Sequence, residues 1–281
     1  MKKIIISADS SCDLSKELTE KYDVKILSLP IILGTESYSD GVDVTAKDVF
    51  DYFNKTGELA KTAAAPDQFY RDWFKKCTDE GCEVVHFNIS SKMSAAFNNC
   101  RMAAQDFEGC YNIDSKNLST GIGQLVLEAA VCRDKGMSAT EIVDYVNQMA
   151  DKLNVSFVID TLKYLYKGGR CSSLAALGAN LLQLKPCIEV NDGAMSVGKK
   201  YRGKLASCIE NYIKDRLEGH DDIDPRRIFI THSHCDPEVV QIAMNAVKKY
   251  QHFDEIYETT AGCTISVHCG PGTLGILYFN K

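Results

Sequence analysis

Two hydrophobic periods alternate along the first half of the chain. Residues 2–8 form a β-branched apolar run, and residues 24–33, 83–89 and 111–114 read as further strands. Residues 14–22 between the first two have helical character. Thr45-Ala46-Lys47-Asp48 places a hydroxyl cap three residues ahead of an acid, the pattern of a capping box. Val49, Phe50 and Phe53 then share one helical face. Phe69, Tyr70, Trp73 and Phe74 make a second apolar face, and Ser138-Ala139-Thr140-Glu141 opens a helix with Ile142, Val143, Val146 and Met149 on one side. Strands separated by helices predict a parallel sheet covered on both faces. Ligands of such sheets sit beyond the carboxyl ends of the strands. Polar loops follow three of them: Asp9-Ser10-Ser11-Cys12-Asp13, Ser90-Ser91-Lys92-Met93-Ser94 and Asp114-Ser115-Lys116.

The texture changes near residue 155. Residues 155–160 are strand-like, and the glycine pair of Tyr166-Lys167-Gly168-Gly169-Arg170 breaks a helix. An Ala- and Leu-rich helix is expected over 172–184, ended by Lys185-Pro186 because proline restricts the residue before it. Residues 187–190 and 194–199 flank Asn191-Asp192-Gly193, a hairpin signal. A helix over 204–217 and strands over 227–232 and 275–279 complete the pattern. The chain is therefore α/β with two domains, residues 1–155 and a smaller α+β unit over 156–281, with no repeat or low-complexity linker between them.

Composition narrows the function. Of 281 residues, 45% are hydrophobic and 25% charged, and the net charge is −6. That balance disfavours nucleic-acid binding, which needs cations on phosphates, and gives no electrostatic hold on an anionic membrane. Asp9 and Asp13 interrupt the N-terminal apolar run too early for a signal peptide. No run approaches the about 18 apolar residues of a spanning helix. A cytoplasmic protein without stable membrane insertion is expected. The 12 cysteines sit mostly in apolar company, as at Cys132, Cys187 and Cys208, and read as reduced structural thiols.

Several loops could carry chemistry. The serines before Ala95-Ala96-Phe97 cap a helix that ends near Gln105, or its exposed amides bind an anion such as a carboxylate. Thr62, in Lys61-Thr62-Ala63-Ala64-Ala65-Pro66, offers a hydroxyl among small residues but alone marks only a loop. His268, read at a strand–loop junction before Cys269-Gly270-Pro271-Gly272, could donate to a carboxylate or be a satisfied structural histidine. Arg170 and Arg202 stand in glycine-bearing loops, where arginine grips carboxylates or phosphates or makes a surface ion pair of little consequence. His232-Ser233-His234-Cys235 gathers three metal-ligand types, yet no C-x-x-C pair or usual zinc spacing is present. Nucleotide and nucleophile-elbow motifs are absent. Gly121-Ile122-Gly123 comes nearest, but Val126 holds the place of a third glycine.

In order and spacing these segments resemble the DegV family of bacterial fatty-acid-binding proteins over nearly the whole chain. The resemblance is carried by Asp9-Ser10-Ser11-Cys12-Asp13, Ser90-Ser91 through Phe97, Asp114-Ser115 with Gly121 and Gly123, and Leu165 through Arg170. Lys185-Pro186, Lys200-Tyr201-Arg202-Gly203-Lys204 and His268 through Gly272 complete it. It implies a Rossmann-like N-terminal domain with helices on both faces of a parallel sheet, an α/β C-terminal domain, and a fatty acid in an apolar tunnel between them. It also implies a carboxylate held at Thr62, Ser94, Ala95 and His268, with no metal or cofactor. The implied role is a monomeric carrier without its own catalytic centre, presenting the carboxylate to a separate ATP-dependent fatty acid kinase subunit for phospholipid synthesis. Arg170 and Arg202 match positions for that encounter. The chain departs from the family pattern at Ala95-Ala96, where glycine and threonine are usual, and at Ala63, where serine is usual. An alternative is a small-metabolite hydrolase or phosphotransferase using Asp9, Asp13, Asp114 and His268 as acids and bases. A redox or metal sensor built on the cysteines is a third reading.

Overall fold

The computed structural model describes residues 2–171 and 184–281. In chain order the first part holds β1 (Ile4–Asp9), α1 (Lys16–Lys21), β2 (Val24–Leu27), β3 (Pro30–Leu33), β4 (Glu36–Ser39), α2 (Ala46–Thr56) and β5 (Lys61–Thr62). There follow α3 (Asp67–Asp79), β6 (Glu83–Asn88), α4 (Ala96–Ala104), β7 (Cys110–Asp114), α5 (Thr120–Asp134) and α6 (Ala139–Ala150). The second part holds β8 (Leu153–Val158), α7 (Leu162–Gly168), β9 (Leu184–Asn191), β10 (Ala194–Arg202), α8 (Leu205–Leu217) and β11 (Ile223–Ser233). It ends with α9 (Pro237–Tyr250), β12 (Glu255–Thr260), α10 (Cys263–Cys269) and β13 (Thr273–Asn280).

The strands form a parallel sheet in the order β2-β1-β6-β7, a mixed sheet in the order β10-β9-β8-β13-β11-β12, and a small antiparallel sheet β4-β3-β5. Side chains of a strand alternate between faces, and β1 uses both. Ile5 packs with Tyr70, Phe74 and Cys100 of α3 and α4, whereas Ile4 and Ile6 pack with Leu125, Ala129 and Ile142 of α5 and α6. The mixed sheet does the same. Phe157, Phe229 and Leu277 join the α5/α6 core, while Ile228, Ile230 and Ile276 pack on α8 and α9. The result is five layers, with α5 shared by both sheets.

Helix α5 fits that central place because it has no solvent-facing polar side over most of its length. Twelve of its 15 residues are buried, as a helix apolar on all sides requires. Gly121 and Gly123 are packing glycines, not a nucleotide loop. A Cβ at Gly123 would lie 2.8 Å from a Leu14 methyl and 3.1 Å from the Cys12 carbonyl, and one at Gly121 would lie 2.4 Å from the Asn117 side chain. The polar groups of α5 tie it to the mixed sheet. Gln124 donates to the carbonyls of Arg227 and Leu277, and Glu128 accepts from Tyr145, Arg226 and Arg227.

Local signals translate directly. Both capping boxes form, at Thr45/Asp48 and Ser138/Glu141. Asp192 and Gly193 take left-handed backbone conformations at φ 46° and 76°, as the β9–β10 hairpin turn demands. Two expectations need correction. The run 24–33 is two strands in different sheets, because Pro30 has no N–H to continue a ladder and instead begins a new strand. Leu184, Lys185 and Pro186 lie within β9 and do not end a helix; the rest of the helix expected over 172–184 lies outside the described residues. Strand β8, Leu153–Val158, pairs with β13 in the mixed sheet.

Glu128 and Arg227 are both almost fully buried, 3.3 Å apart. Removing one partner of such a pair leaves the other charge uncompensated. Glu128→Ala is expected to cost about 3 kcal/mol, read as a lowered midpoint in urea unfolding. Glu128→Gln, which keeps an acceptor for Tyr145 and Arg227, loses less.

Candidate functional site

A cavity of about 230 Å³ opens between the two large sheets, beside α10 and the start of α5. Its walls are mainly apolar: Leu29, Ile89, Met93, Phe157, Met195 and Leu277. Hydroxyls that border it are already paired. Thr231 bonds to Thr120 and Thr259, Ser233 to Ser266, and Ser156 to Tyr212. A buried hydroxyl paired in this way adds little polarity to the wall.

One part of the cavity is polar. Thr62, Ser94, Ala95 and His268, the four residues expected to hold a carboxylate, all border it, and Thr62 and His268 are in direct contact. Thr62 sits on β5, not in a bare loop, with its backbone opposite Ile31 of β3. His268 is not at a strand–loop junction but in the last turn of α10. Ala261, Thr264, Ile265 and His268 face the cavity together, as the i, i+3, i+4, i+7 spacing of one helical face allows. Thr62 Oγ1 lies 2.9 Å from His268 Nε2.

The other ring nitrogen of His268 is sealed. Among the described residues, Nδ1 is buried without a partner, against Gly168, where an added Cβ would come within 2.5 Å of it. A buried N–H without an acceptor is a costly orphan, so we assign the imidazole proton to Nε2, where it donates to Thr62. The Thr62 hydroxyl is then left with its own proton to donate into the cavity. Burial, reinforced by the positive charge of Arg170, pushes the His268 pKa down to about 4. The imidazole is therefore neutral near pH 7.

Ser94 serves its own helix as well as the cavity: its Oγ accepts from the amide of Ala96. Ala95 is the N-cap of α4 and supplies no capping side chain. The first-turn amides of a helix have no intrahelical acceptors, and here that of Ala96 is taken by Ser94 Oγ. Ala63 also borders the cavity, and Ala96 is fully buried. Arg170 is exposed at the cavity edge and folds back on the Gly168 carbonyl at 2.5 Å. Arg202 is exposed at the end of β10, outside the residues that border the cavity.

The carboxylates of the alternative reading are dispersed. Asp9 is buried and bonded by Tyr70, His86 and Asn88. Asp13 accepts from the Ser119 hydroxyl and the Gly262 amide, and burial pushes its pKa up to about 8. Asp114 accepts from the amides of Ser91 and Lys116. None of the three borders the cavity with His268. Eleven cysteines are buried and Cys235 is half-buried; burial raises the thiol pKa of Cys269, beside the cavity, to about 12. Among the described residues, no group of three or more His, Cys, Asp or Glu is placed to hold a metal, and no helix is long and apolar enough to cross a membrane.

Sequence reasoning missed the apolar walls. Met195 and Leu277 occupy the inward positions of β10 and β13, and their pattern is that of any core strand. It also missed Asp40, whose carboxylate accepts from the amides of Cys263 and Thr264 at the start of α10.

A five-layer α/β fold thus holds an apolar cavity bordered by a threonine hydroxyl and an imidazole in contact with each other. The chain belongs to the DegV family, whose model, described as an uncharacterised protein family, matches residues 3–281. A DegV domain-containing protein of Clostridium acetobutylicum is 30% identical over 286 residues, spanning the whole of both chains. A fatty-acid-binding DegV protein of Thermus thermophilus superposes with a TM-score of 0.89 at 24% identity, over 99% of this chain and 100% of the other. A stearic-acid-binding protein of Eubacterium ventriosum superposes with a TM-score of 0.85 at 25% identity, over 100% of this chain and 99% of the other.

The depressed pKa of His268 has a signed consequence. An unfolded chain binds this proton near pH 6.5, the folded one only near 4. The unfolded state therefore holds more protons between those values, and stability falls as pH drops from 6.5 towards 4. Thermal unfolding across that range should show a shallower pH dependence for His268→Gln than for the unsubstituted protein.

Proposed function

We propose that this protein binds a long-chain fatty acid, its tail in the cavity between the sheets and its carboxylate at Thr62, Ser94, Ala95 and His268. The observation that carries the reading is an apolar cavity bordered by the Thr62–His268 pair and by Ser94 and Ala95 at the N-terminus of α4. Burying an alkyl chain contributes roughly 0.8 kcal/mol per methylene. A buried carboxylate is costly unless hydrogen-bonded, and a threonine hydroxyl with helix amides meets that need. The relatives described as fatty-acid-binding and stearic-acid-binding support the same ligand class.

In this reading the protein is a cytoplasmic, monomeric carrier without a catalytic centre or cofactor of its own. It presents the carboxylate to a separate kinase subunit that uses ATP to form an acyl phosphate. Support comes from Arg170, an exposed cation at the cavity edge, suited to meet a phosphate or an acidic partner surface. Arg202 would contribute at the rim of the same encounter. Residues 1–155 and 156–281 act as the two halves of the lipid site. Alanine at 63 and 96 leaves fewer side-chain hydroxyls near the head group than the family pattern, and alanine at 95 adds a methyl, which puts more weight on Thr62 and on backbone amides.

The test is organic extraction of purified protein followed by mass spectrometry, with titration of added fatty acid. Near-stoichiometric fatty acid is expected. Thr62→Ala should weaken binding about tenfold or more, as loss of a hydrogen bond to a charged group does, and His268→Ala, which releases the Thr62 hydroxyl that Nε2 orients, should weaken it in the same direction. Unchanged affinity in both variants would remove the carboxylate from this place.

A further inference from the structure

Thr62 and His268 reach each other from opposite ends of the chain, and neither β5 nor α10 is long enough to fix its own position. Strand β5 has two residues and α10 has seven. One buried side chain touches the supports of both. Asp40, in the loop between β4 and α2, is 3% exposed. Its Oδ1 accepts from the Cys263 amide at 2.8 Å, and its Oδ2 from the Thr264 amide at 3.0 Å and the Thr264 hydroxyl at 2.7 Å. These are the first two residues of α10. On the other side, the Asp40 amide donates to the Leu29 carbonyl at 2.9 Å. The Ser10 hydroxyl donates to Asp40 Oδ2 while accepting from the Leu29 amide at 3.1 Å. Leu29 leads directly into β3, whose Ile31 pairs with Thr62.

We propose that Asp40 is the positioning residue of the carboxylate site, joining the start of α10 to the base of β3 so that His268 meets Thr62. The proposal rests on the fatty-acid reading of the cavity and adds to it a residue that touches no ligand. The lever is short. His268 lies five residues beyond Cys263, about 8 Å along a helix of 1.5 Å rise per residue. A small rotation at the amide end therefore moves the imbedded ring by enough to break a 2.9 Å contact. Gly262 is part of the same fit: a Cβ there would lie 3.1 Å from Asp13 Oδ1 and 3.2 Å from Asp40 Oδ1. Asp13 holds the Gly262 amide, so three successive amides, of residues 262, 263 and 264, end on two carboxylates.

Asp40→Asn replaces one acceptor oxygen with an N–H group facing donors, at nearly the same volume. Two readouts are taken on the full chain. The first, on ligand-free protein, is the NMR titration of the His268 ring in histidine-labelled samples. Asp40→Asn should free the ring towards water and move its titration upward from about 4 towards the ordinary histidine value. The second is affinity for palmitate, expected to fall about tenfold to a hundredfold. Ser10→Ala, which removes the side-chain bridge from Asp40 Oδ2 to the Leu29 amide and leaves the Asp40 amide on the Leu29 carbonyl, should shift both in the same direction by less, and it decides the matter if Asp40→Asn does not fold. A lower melting temperature with unchanged His268 titration and unchanged affinity would make Asp40 a purely structural residue and overturn the proposal. If the unsubstituted protein binds no palmitate, the fatty-acid reading fails, while the ring titration still decides whether Asp40 positions His268.

Discussion

The contact between Thr62 and His268 spans 206 residues of sequence, and the account of the site depends on it. It joins the small antiparallel sheet to α10, and it gives an otherwise apolar cavity one polar place. The sealed Nδ1 and the close approach of Gly168 leave the ring a single useful orientation. Burial keeps that ring neutral, so it meets the Thr62 hydroxyl without supplying a charge. In the proposed reading, a fatty acid held by hydroxyl and amide donors can be both shielded and released.

The cavity exists because two sheets share one layer of helices. Helix α5 packs on both, and its glycines let the loop after β1 come against it. Where α5 begins, Ser119 adopts an unusual backbone conformation, φ 52° and ψ −143°, tied down by its bond to Asp13. The sheets there are held apart by loops and by α10 and not by a second long helix, and the space between them is the cavity. The same geometry explains why the hydrophobic core is continuous from Ile4 to Phe279 across both sheets.

Much of this was legible in the sequence because it rests on local rules. Both capping boxes, the Asn191-Asp192-Gly193 hairpin and the strands at residues 83–89 and 227–232 depend on neighbours in the chain. The family resemblance supplied Thr62, Ser94, Ala95 and His268 as a set; none of them announces itself alone. Features that depend on distant partners did not show. Strand β5 exists only because β3 lies beside it, and α10 is a helix whose first amides are satisfied by Asp40, more than two hundred residues earlier. The run 24–33 hid a change of sheet at Pro30. The walls at Met195 and Leu277 carry the alternation of ordinary core strands, so no pattern distinguishes a residue that packs on protein from one that packs on a ligand.

The most direct test of the central claim is NMR of fatty acid labelled with ¹³C at its carboxyl carbon, bound to the intact protein. The account predicts a single, shifted carboxyl resonance that stays ionised through neutral pH, close in space to the His268 ring, and altered by Thr62→Ala. A carboxyl resonance at the position of free fatty acid, or one indifferent to Thr62→Ala and remote from His268, would contradict it.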